Sequence, residues 1–182
     1  MVKGSELPTK VTLAATDSLY VIDNDGTPVS KNTTAGQVIN PNSVYGELSA
    51  VGPGTTQTNI NQNYKKIDQF DTVSSENGIT ANLGQNKFTV DEDGVYNISF
   101  SLSYTGDAGQ IFQVAIHVNN TLVANGVTSR TINSGTDIGN VGTSIVQPLS
   151  INDDVELRVK TTLVGNHDFT IQTGNFKISK NV

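Results

Sequence analysis

The chain of 182 residues contains no cysteine and no tryptophan. The missing cysteine excludes disulfide bonds, thiol catalysis and zinc–thiolate sites. Charged residues make up 15% of the sequence, against roughly 25% in an average globular domain. Uncharged polar residues must therefore cover most of the surface, as is typical of β-sandwiches and of extracellular or particle-borne proteins. Without disulfides, such a protein needs another means of stabilisation, and oligomerisation is the obvious one.

Basic clusters and long apolar runs are also absent. The net charge is −6, and the longest run of basic residues is Lys65–Lys66, which argues against nucleic acid as a partner. No stretch approaches the roughly 20 apolar residues of a membrane span, so membrane insertion is not expected. The segment Met1–Glu6 has no apolar run, and we expect no secretory signal.

The clearest positive pattern lies in residues 96–104. Tyr, Ile, Phe, Leu and Tyr at the even positions alternate there with Asn and three serines at the odd positions. Because side chains alternate between the two faces of a strand, this pattern predicts a strand with one buried face and one small polar face. A slip of one residue would place serines in the core, so the register should be well defined.

Further short apolar or alternating runs are separated by turn signals rich in Gly, Asn and Asp. The residues 49–63 contain Gly52–Pro53–Gly54 and predict a long surface loop, and no amphipathic helix of ten residues is evident. Many short strands at regular spacing predict an antiparallel sandwich or barrel. We place strands near 44–50, 65–70, 77–82, 86–90, 94–104, 110–118, 121–132, 140–149, 154–163, 166–172 and 174–180. The intervening turns are expected at Asp93–Gly94, Gly106–Asp107, Asn119–Asn120, Asn125–Gly126, Asn152–Asp154, Gly165–Asn166 and Gly174–Asn175.

The first forty residues form a separate unit. An apolar run at 19–22 precedes the turn signal Asp23–Gly26, Val29–Thr34 could return as its partner strand, and Thr33–Ile39 could form a short helical turn. Such a unit is too small to bury a core alone. With a linker beginning at Asn40–Pro41, the predicted domains are 1–40 and 41–182.

The larger domain resembles a known family. Phe88, Gly94, Tyr96, Ile98 and Phe100 match the hallmark Phe-x5-Gly-x-Tyr-x-Phe-x-Phe of complement globular-head domains, with Ile98 in place of an aromatic residue. Two later strands continue the series, and the resemblance spans roughly residues 76–180. It implies the ten-stranded antiparallel jelly roll that these domains share with tumour necrosis factor. It also implies that Gly94 makes a turn, that the other four residues enter the core, and that the protein is a homotrimer.

The N-terminal unit resembles an attachment module of phage virion proteins, whose usual form is Ser-x-Leu-Pro, then Thr-Asp-x-Leu-x-Val-Val, then Thr-x-x-x-Leu. Segments beginning at Ser5, Thr16 and Thr33 match it in order. The resemblance implies a small β-rich module that docks on the virion ahead of a fibre or head-appendage domain. The residues it nominates for docking are Leu7, Pro8, Asp17, Leu19, Tyr20, Val21 and Ile22.

No motif predicts catalysis or a cofactor. The sequence has neither a Gly-x-Ser-x-Gly nucleophile elbow nor a glycine-rich phosphate loop, and its acidic residues cluster in turns. Two Asp-x-Asp-Gly segments, 23–26 and 91–94, lack the Glu of an EF-hand at position twelve, where Thr34 and Leu102 stand. We interpret them as hairpin turns and expect no metal, with calcium at 91–93 or 152–154 as the alternative. His117 and His167 are expected to be ordinary surface residues, His117 on the polar face of a strand and His167 in a turn.

These observations predict a non-enzymatic bacteriophage structural protein. It would be a homotrimeric capsid decoration or head-fibre protein located in the virion. Its partners would be its own copies and phage capsid or tail proteins. The small polar residues Ser99, Ser101, Ser103, Gln113 and Ala115 could face the threefold axis, with apolar contacts from Tyr64, Tyr104 and Phe112; a solvated outer sheet is the alternative.

A second hypothesis is a short tail fibre or receptor-binding module for host attachment. It would recognise a host surface glycan or protein through loops 104–107 and 133–136. A secreted bacterial adhesin is a third, which the absent signal disfavours.

Overall fold

The computed structural model of the protein describes residues 20–22, 28–30 and 43–181. The chain divides into two compact units, Met1–Asn42 and Ser43–Val182. In the first unit, β1 (Tyr20–Ile22) pairs antiparallel with β2 (Pro28–Ser30), and Val21 lies opposite Val29. Of the nominated docking residues, Tyr20, Val21 and Ile22 form β1, whereas Leu7, Pro8, Asp17 and Leu19 and the expected helical turn at 33–39 lie outside the described residues.

The second unit consists of two antiparallel sheets of six strands each. The strands of sheet I are β3 (Tyr45–Ala50), β4 (Gln57–Ile60), β6 (Thr72–Asn77), β9 (Gly94–Gly106), β12 (Gly139–Leu149) and β14 (His167–Lys180). Their order is β12-β9-β14-β3-β6, and β4 pairs with β14. The strands of sheet II are β5 (Lys65–Lys66), β7 (Ile79–Asn82), β8 (Lys87–Val90), β10 (Ile111–Val118), β11 (Thr121–Thr131) and β13 (Asp154–Thr161). Their order is β11-β10-β13-β8-β7, and β5 pairs with β13. The prediction of an all-β antiparallel sandwich is confirmed.

The core lies between the two sheets and contains the residues that the alternation in β9 pointed inward. Tyr96, Ile98, Phe100, Leu102 and Tyr104 are all buried. Phe88 of β8 packs on Phe176 of β14 with ring centroids 4.9 Å apart. Burial of each large apolar side chain is worth roughly 1.5–3 kcal/mol. The five buried residues of β9 therefore contribute substantially to the stability of the sandwich.

Gly94 does not make the turn that the resemblance assigns to it. It is the first residue of β9 and pairs with Leu149 of β12, while the turn itself is formed by the residues before it. A Cβ at Gly94 would lie 2.4 Å from Cε of Lys180. The glycine therefore provides room for a side chain that crosses it.

Three of the predicted turns lie where asparagine or glycine adopts positive φ. Asn119 and Asn120, at φ 50° and 67°, join β10 to β11; Asn152, at φ 69°, lies between β12 and β13; and Gly165, at φ 123°, lies between β13 and β14. Asparagine and glycine tolerate the left-handed region better than other residues. Local backbone preference therefore decides these connections.

Two predicted turns are wrong, and both lie inside long strands. Gly174–Asn175 lies within β14, just beyond the bulge between Ile171 and Thr173, where both residues pair regularly with β9 and β3. Asn125–Gly126 lies within β11, where the register against β10 shifts between Ala115 and His117. Glycine and asparagine occur in bulges and where strands approach closely as well as in turns, so composition alone did not separate these cases.

The region between β3 and β7 differs most from expectation. The predicted loop at 49–63 contains β4, and the predicted strand at 65–70 is reduced to the two residues of β5. The strand β6 was not predicted because its sequence, Thr-Val-Ser-Ser-Glu-Asn, has no apolar alternation. Beyond β5, the amide of Ile67 still donates to the carbonyl of Leu157 in β13 (2.9 Å), and the buried Gln69 then ties the chain to β14, because its Oε1 accepts a hydrogen bond from the amide of Ile171 (2.7 Å).

Candidate functional site

Short polar side chains occupy much of the outer face of sheet I. One rung runs across four strands from Gly142 through Ser101 and Asn175 to Ser49. The next rung that faces outward carries Ser144, Ser99, Lys177 and Glu47. This surface follows directly from the register of β9, because its core residues at even positions force the odd positions outward.

Most polar groups on this face bond to one another. The hydroxyl of Ser144 donates to Oδ1 of Asn97 at 2.7 Å, and Lys177 pairs with Glu47 at 3.3 Å. The hydroxyl of Ser103 also donates to Oδ1 of Asn140. Short side chains that are already bonded lose little conformational freedom when a second surface covers them, and they allow a second backbone to approach closely.

A shallow groove of about 410 Å³ crosses the middle of this face. Its walls come from β3, β9 and β14. The lining residues are Ser49, Ala50, Val51, Ser101, Ser103, Thr173, Gly174 and Asn175. These described lining residues offer hydroxyl, amide and methyl groups, whose chemistry suits contact and hydrogen bonding.

One end of the same face is apolar and exposed. Val146 on β12 is 57% exposed and Val95 on β9 is 44% exposed, and Val95 lies opposite Pro148. Ile151, 55% exposed, follows β12 and donates its amide to Asp93 at 2.7 Å. Apolar side chains gathered at the margin of a flat polar face are typical of a surface that another protein covers.

We call the outward residues of β3, β9, β12 and β14, together with Ile151, the sheet I face. It includes Ser99, Ser101 and Ser103 of the expected trimer surface but not the other nominated residues. Gln113 and Ala115 point outward from sheet II, on the opposite side of the sandwich. Tyr104 and Phe112 are buried in the core with ring centroids 5.8 Å apart. Tyr64 contacts His117 of sheet II. The five polar residues and the three apolar residues nominated with them therefore do not share one surface, and the expectation that they do is wrong.

The loops proposed for glycan contact meet at one end of the sandwich. The amide of Gly109 donates to the carbonyl of Ile132 at 2.6 Å, joining the β9–β10 loop to the β11–β12 loop. Tyr104 cannot contact a ligand there, because it is buried and its hydroxyl donates to the carbonyl of Arg130 (3.4 Å). Burial raises the pKa of Tyr104, so its hydroxyl stays protonated at neutral pH. Exposed apolar groups at this end come instead from Ile138, Leu163 and Val164.

The acidic turns considered for calcium do not converge. Asp91 accepts from the hydroxyl of Thr80 (3.2 Å), Glu92 pairs with Lys180 (2.9 Å), and Asp93 accepts from the amide of Ile151. Asp153 and Asp154 likewise have separate partners: Asp153 accepts from the amide of Ser150, and Asp154 from Lys87 and Thr89. Within residues 20–22, 28–30 and 43–181 no group of three His, Asp or Glu side chains is placed to hold a metal ion.

The two histidines differ in environment. His167 is the first residue of β14, where its Nδ1 lies 3.2 Å from a carboxylate oxygen of Asp107. His117 was expected to be exposed, and this is wrong: it is 3% exposed and packs edge-on against Tyr64. Because Tyr64 lies 53 positions earlier in the chain than His117, no local sequence pattern indicates this contact.

No family model matches the chain, and no curated protein is significantly similar to it. Solved structures do share its fold. Eiger TNF from S. frugiperda superposes with a TM-score of 0.57 at 11% identity, covering 77% of this chain and 93% of that one. The globular domain of zebrafish complement 1qA gives 0.53 at 16% identity, with coverages of 77% and 98%. Murine APRIL at pH 5.0 gives 0.50 at 11% identity, with coverages of 76% and 99%.

These similarities establish the jelly-roll sandwich of the tumour necrosis factor and complement globular-head type. At such low identities they establish the fold alone. In the part of the chain that the structure describes, no helix is long and apolar enough to cross a membrane.

Proposed function

We propose that this chain is a non-enzymatic structural protein of a phage particle that assembles as a homotrimer. The observation that carries the self-association is the sheet I face, with its short bonded side chains and its exposed apolar margin at Val95, Val146 and Ile151. Covering that margin would remove apolar area from water at roughly 25 cal/mol per Å². The number of three copies is supported by the resemblance to complement globular-head domains, which implies a homotrimer.

In this proposal the jelly roll projects from the virion and the N-terminal module, residues 1–40, docks on it. The partners are capsid or tail proteins, and the role is capsid decoration or a head fibre. Three docking modules on one trimer would bind with high avidity even if each is weak, because the second and third contacts form at a high effective concentration. The N-terminal sequence resemblance supports this attachment.

The self-association is tested by placing charge on the sheet I face. Ser101→Glu introduces one carboxylate per copy at the centre of that face, whereas Ser129→Glu makes the same change on the exposed outward surface of β11 in sheet II. We expect Ser101→Glu to reduce the solution mass from trimer toward monomer and Ser129→Glu to leave it unchanged. Equal masses for both variants and the wild type would remove the sheet I face from the proposal.

The virion role requires a separate experiment. Particles purified by density gradient from the producing culture should contain this chain by quantitative peptide mass spectrometry, at a fixed ratio to the major capsid protein. Deletion of residues 1–40 should abolish that association while leaving the mass of the purified head at three protomers. A chain absent from particles, or retained equally after the deletion, would contradict attachment through the N-terminal module.

A second candidate function is recognition of a host surface glycan or protein by the loops at one end of the sandwich. The observation that favours it is the junction of the β9–β10 and β11–β12 loops beside the exposed pair Leu163 and Val164. Binding of the full chain to host cells should then fall in a Val164→Asp variant and persist in Ser129→Glu. Equal binding by both variants would place recognition elsewhere.

A further inference from the structure

The outward face of sheet II contains three side chains that are buried although no strand of residues 43–181 covers them. Ala115 is 0% exposed, His117 3% and Glu156 6%. They occupy adjacent rungs, with Ala115 opposite Arg158 and His117 opposite Glu156. Outward residues of an outer sheet are ordinarily solvated, so a group from elsewhere in the chain must shield them.

The side chain of Tyr64 provides that shield. Its ring meets the ring of His117 edge-on, with centroids 4.8 Å apart and planes at 68°. Nζ of Lys160 lies 4.6 Å from the centroid of the same ring. Because the rungs of Lys160 and His117 lie on either side of Ala115, the Tyr64 ring spans the position where Ala115 is buried. A larger residue at Ala115 would leave no space for the ring.

Tyr64 belongs to a short crossing segment, residues 61–64, between β4 of sheet I and β5 of sheet II. The amide of Thr161, at the end of β13, donates to the carbonyl of Asn61 at 2.9 Å, and Nε2 of Gln62 donates to the carbonyl of Thr162 at 3.3 Å. Just beyond Tyr64, β5 pairs with β13. The contact between Tyr64 and His117 adds a side-chain attachment of the segment to the outward face of sheet II.

The surroundings of His117 favour its neutral form. Its Nδ1 is buried and has no hydrogen-bond partner among the described residues. Burial lowers the pKa of His117, and the nearby Arg158 guanidinium lowers it further; the Ala115 carbonyl and the Glu156 carboxylate oppose this without reversing it. The group is thus kept uncharged under conditions in which an exposed histidine would begin to accept a proton.

The charges around the ring come from several elements. Glu156 on β13 is already shared by two cations, because Nε of Arg158 donates to it at 2.6 Å and Nζ of Lys66 on β5 lies 3.9 Å away. Lys160 is on the same strand, Lys87 of β8 is occupied by Asp154 at 2.6 Å, and β11 presents the uncharged Leu122 opposite His117. A proton on His117 would therefore add a positive charge to a site with a surplus of positive charge.

We propose that Tyr64 and His117 form an acid-sensitive latch, in which protonation of His117 releases the segment 61–64 from sheet II. The imidazolium needs water to solvate it, and the ring of Tyr64 excludes that water. The same ring makes a cation–π contact with the ammonium group of Lys160. Displacement of the ring solvates His117 and exposes Ala115 and Arg158. The core beneath is unaffected, because Ile60 and Ile67 on either side of the segment remain buried in it.

The test uses the full chain and two readouts from pH 7.5 to 4.5. Imidazole NMR titration follows the protonation of His117, and hydrogen exchange of the peptide spanning 61–64, corrected for the intrinsic pH dependence of exchange, follows release. We expect exchange of this peptide to rise several-fold over the same pH interval in which His117 titrates. In His117→Gln that rise should vanish, whereas in His167→Gln it should persist.

Substitutions of Tyr64 separate a latch from a merely buried histidine. Tyr64→Ala should move the titration of His117 upward toward its ordinary value, and Tyr64→Phe should not, because the hydroxyl plays no part in the contact. An unshifted titration in Tyr64→Ala would overturn the proposal, as would wild-type exchange at 61–64 that does not respond as His117 titrates. These outcomes are independent of the sheet I face and of the virion role.

Discussion

At the scale of single residues, burial and not residue type decides what each aromatic or titratable group does. Tyr96, Tyr104 and Tyr64 illustrate this: the first two are core residues whose hydroxyls donate to the carbonyls of Glu92 and Arg130, and the third lies across an outer face. The alternation in β9 predicted the first two positions. The role of Tyr64 depends on a contact across sheets, which no local pattern encodes.

The core can be tested at Phe88, which is fully buried against Phe176. Phe88→Ala should lower the free energy of unfolding by about 3–5 kcal/mol, because it removes a large apolar side chain and leaves a cavity. The measurement is urea denaturation followed by circular dichroism. Val164→Ala, at a site 85% exposed, is the control and should change stability by less than about 0.5 kcal/mol.

The pH dependence of stability should follow from His117. Its pKa is lowered in the folded protein from an ordinary value of 6.5, so below that pH the unfolded chain binds more protons than the folded one. Stability should therefore fall as the pH drops below 6.5 and level off below the folded pKa. Thermal unfolding in small pH steps should show a weaker decline for His117→Gln than for the wild type, and identical slopes would contradict the assignment.

At the scale of elements, strands with strict alternation could be predicted and strands defined by their neighbours could not. The strands β9, β10 and β13 were predicted because every second residue of each is an apolar residue that enters the core. The polar edge strand β6 forms only because β3 provides a hydrogen-bonding partner. The turn expected at Gly174 was wrong for a related reason: the glycine is required by a neighbouring strand and not by a change of direction.

That close approach gives a prediction about Gly174. A Cβ there would lie 2.5 Å from Cδ2 of Leu102 and 2.8 Å from the carbonyl oxygen of Ser101. Gly174→Ala should therefore destabilise the protein by roughly 1–3 kcal/mol through overpacking. Gly135→Ala is the matched control, since a Cβ at Gly135 meets nothing within 4 Å. Differential scanning calorimetry that finds equal melting temperatures for the two variants would show that β9 and β14 can separate to accept the methyl group.

At the scale of the whole molecule, the sequence predicted an antiparallel jelly roll, and the similarity to solved structures confirms that fold. The two outer faces could not be distinguished in advance, because serines of β9 and the Gln113–Ala115 pair of β10 have similar small polar patterns. Only the strand order places them on opposite sides of the sandwich. The proposed self-association uses the sheet I face, and the Tyr64–His117 contact lies on the outer face of sheet II.

The proposed trimer can be tested through the solution mass of the purified full chain. Light scattering coupled to size exclusion, at several loading concentrations, separates one protomer of 19.3 kDa from three at 57.9 kDa. We predict a mass near 57.9 kDa that does not change on dilution through the micromolar range. A stable mass near 19.3 kDa would contradict the trimeric head and leave a monomeric jelly roll whose sheet I face is solvated.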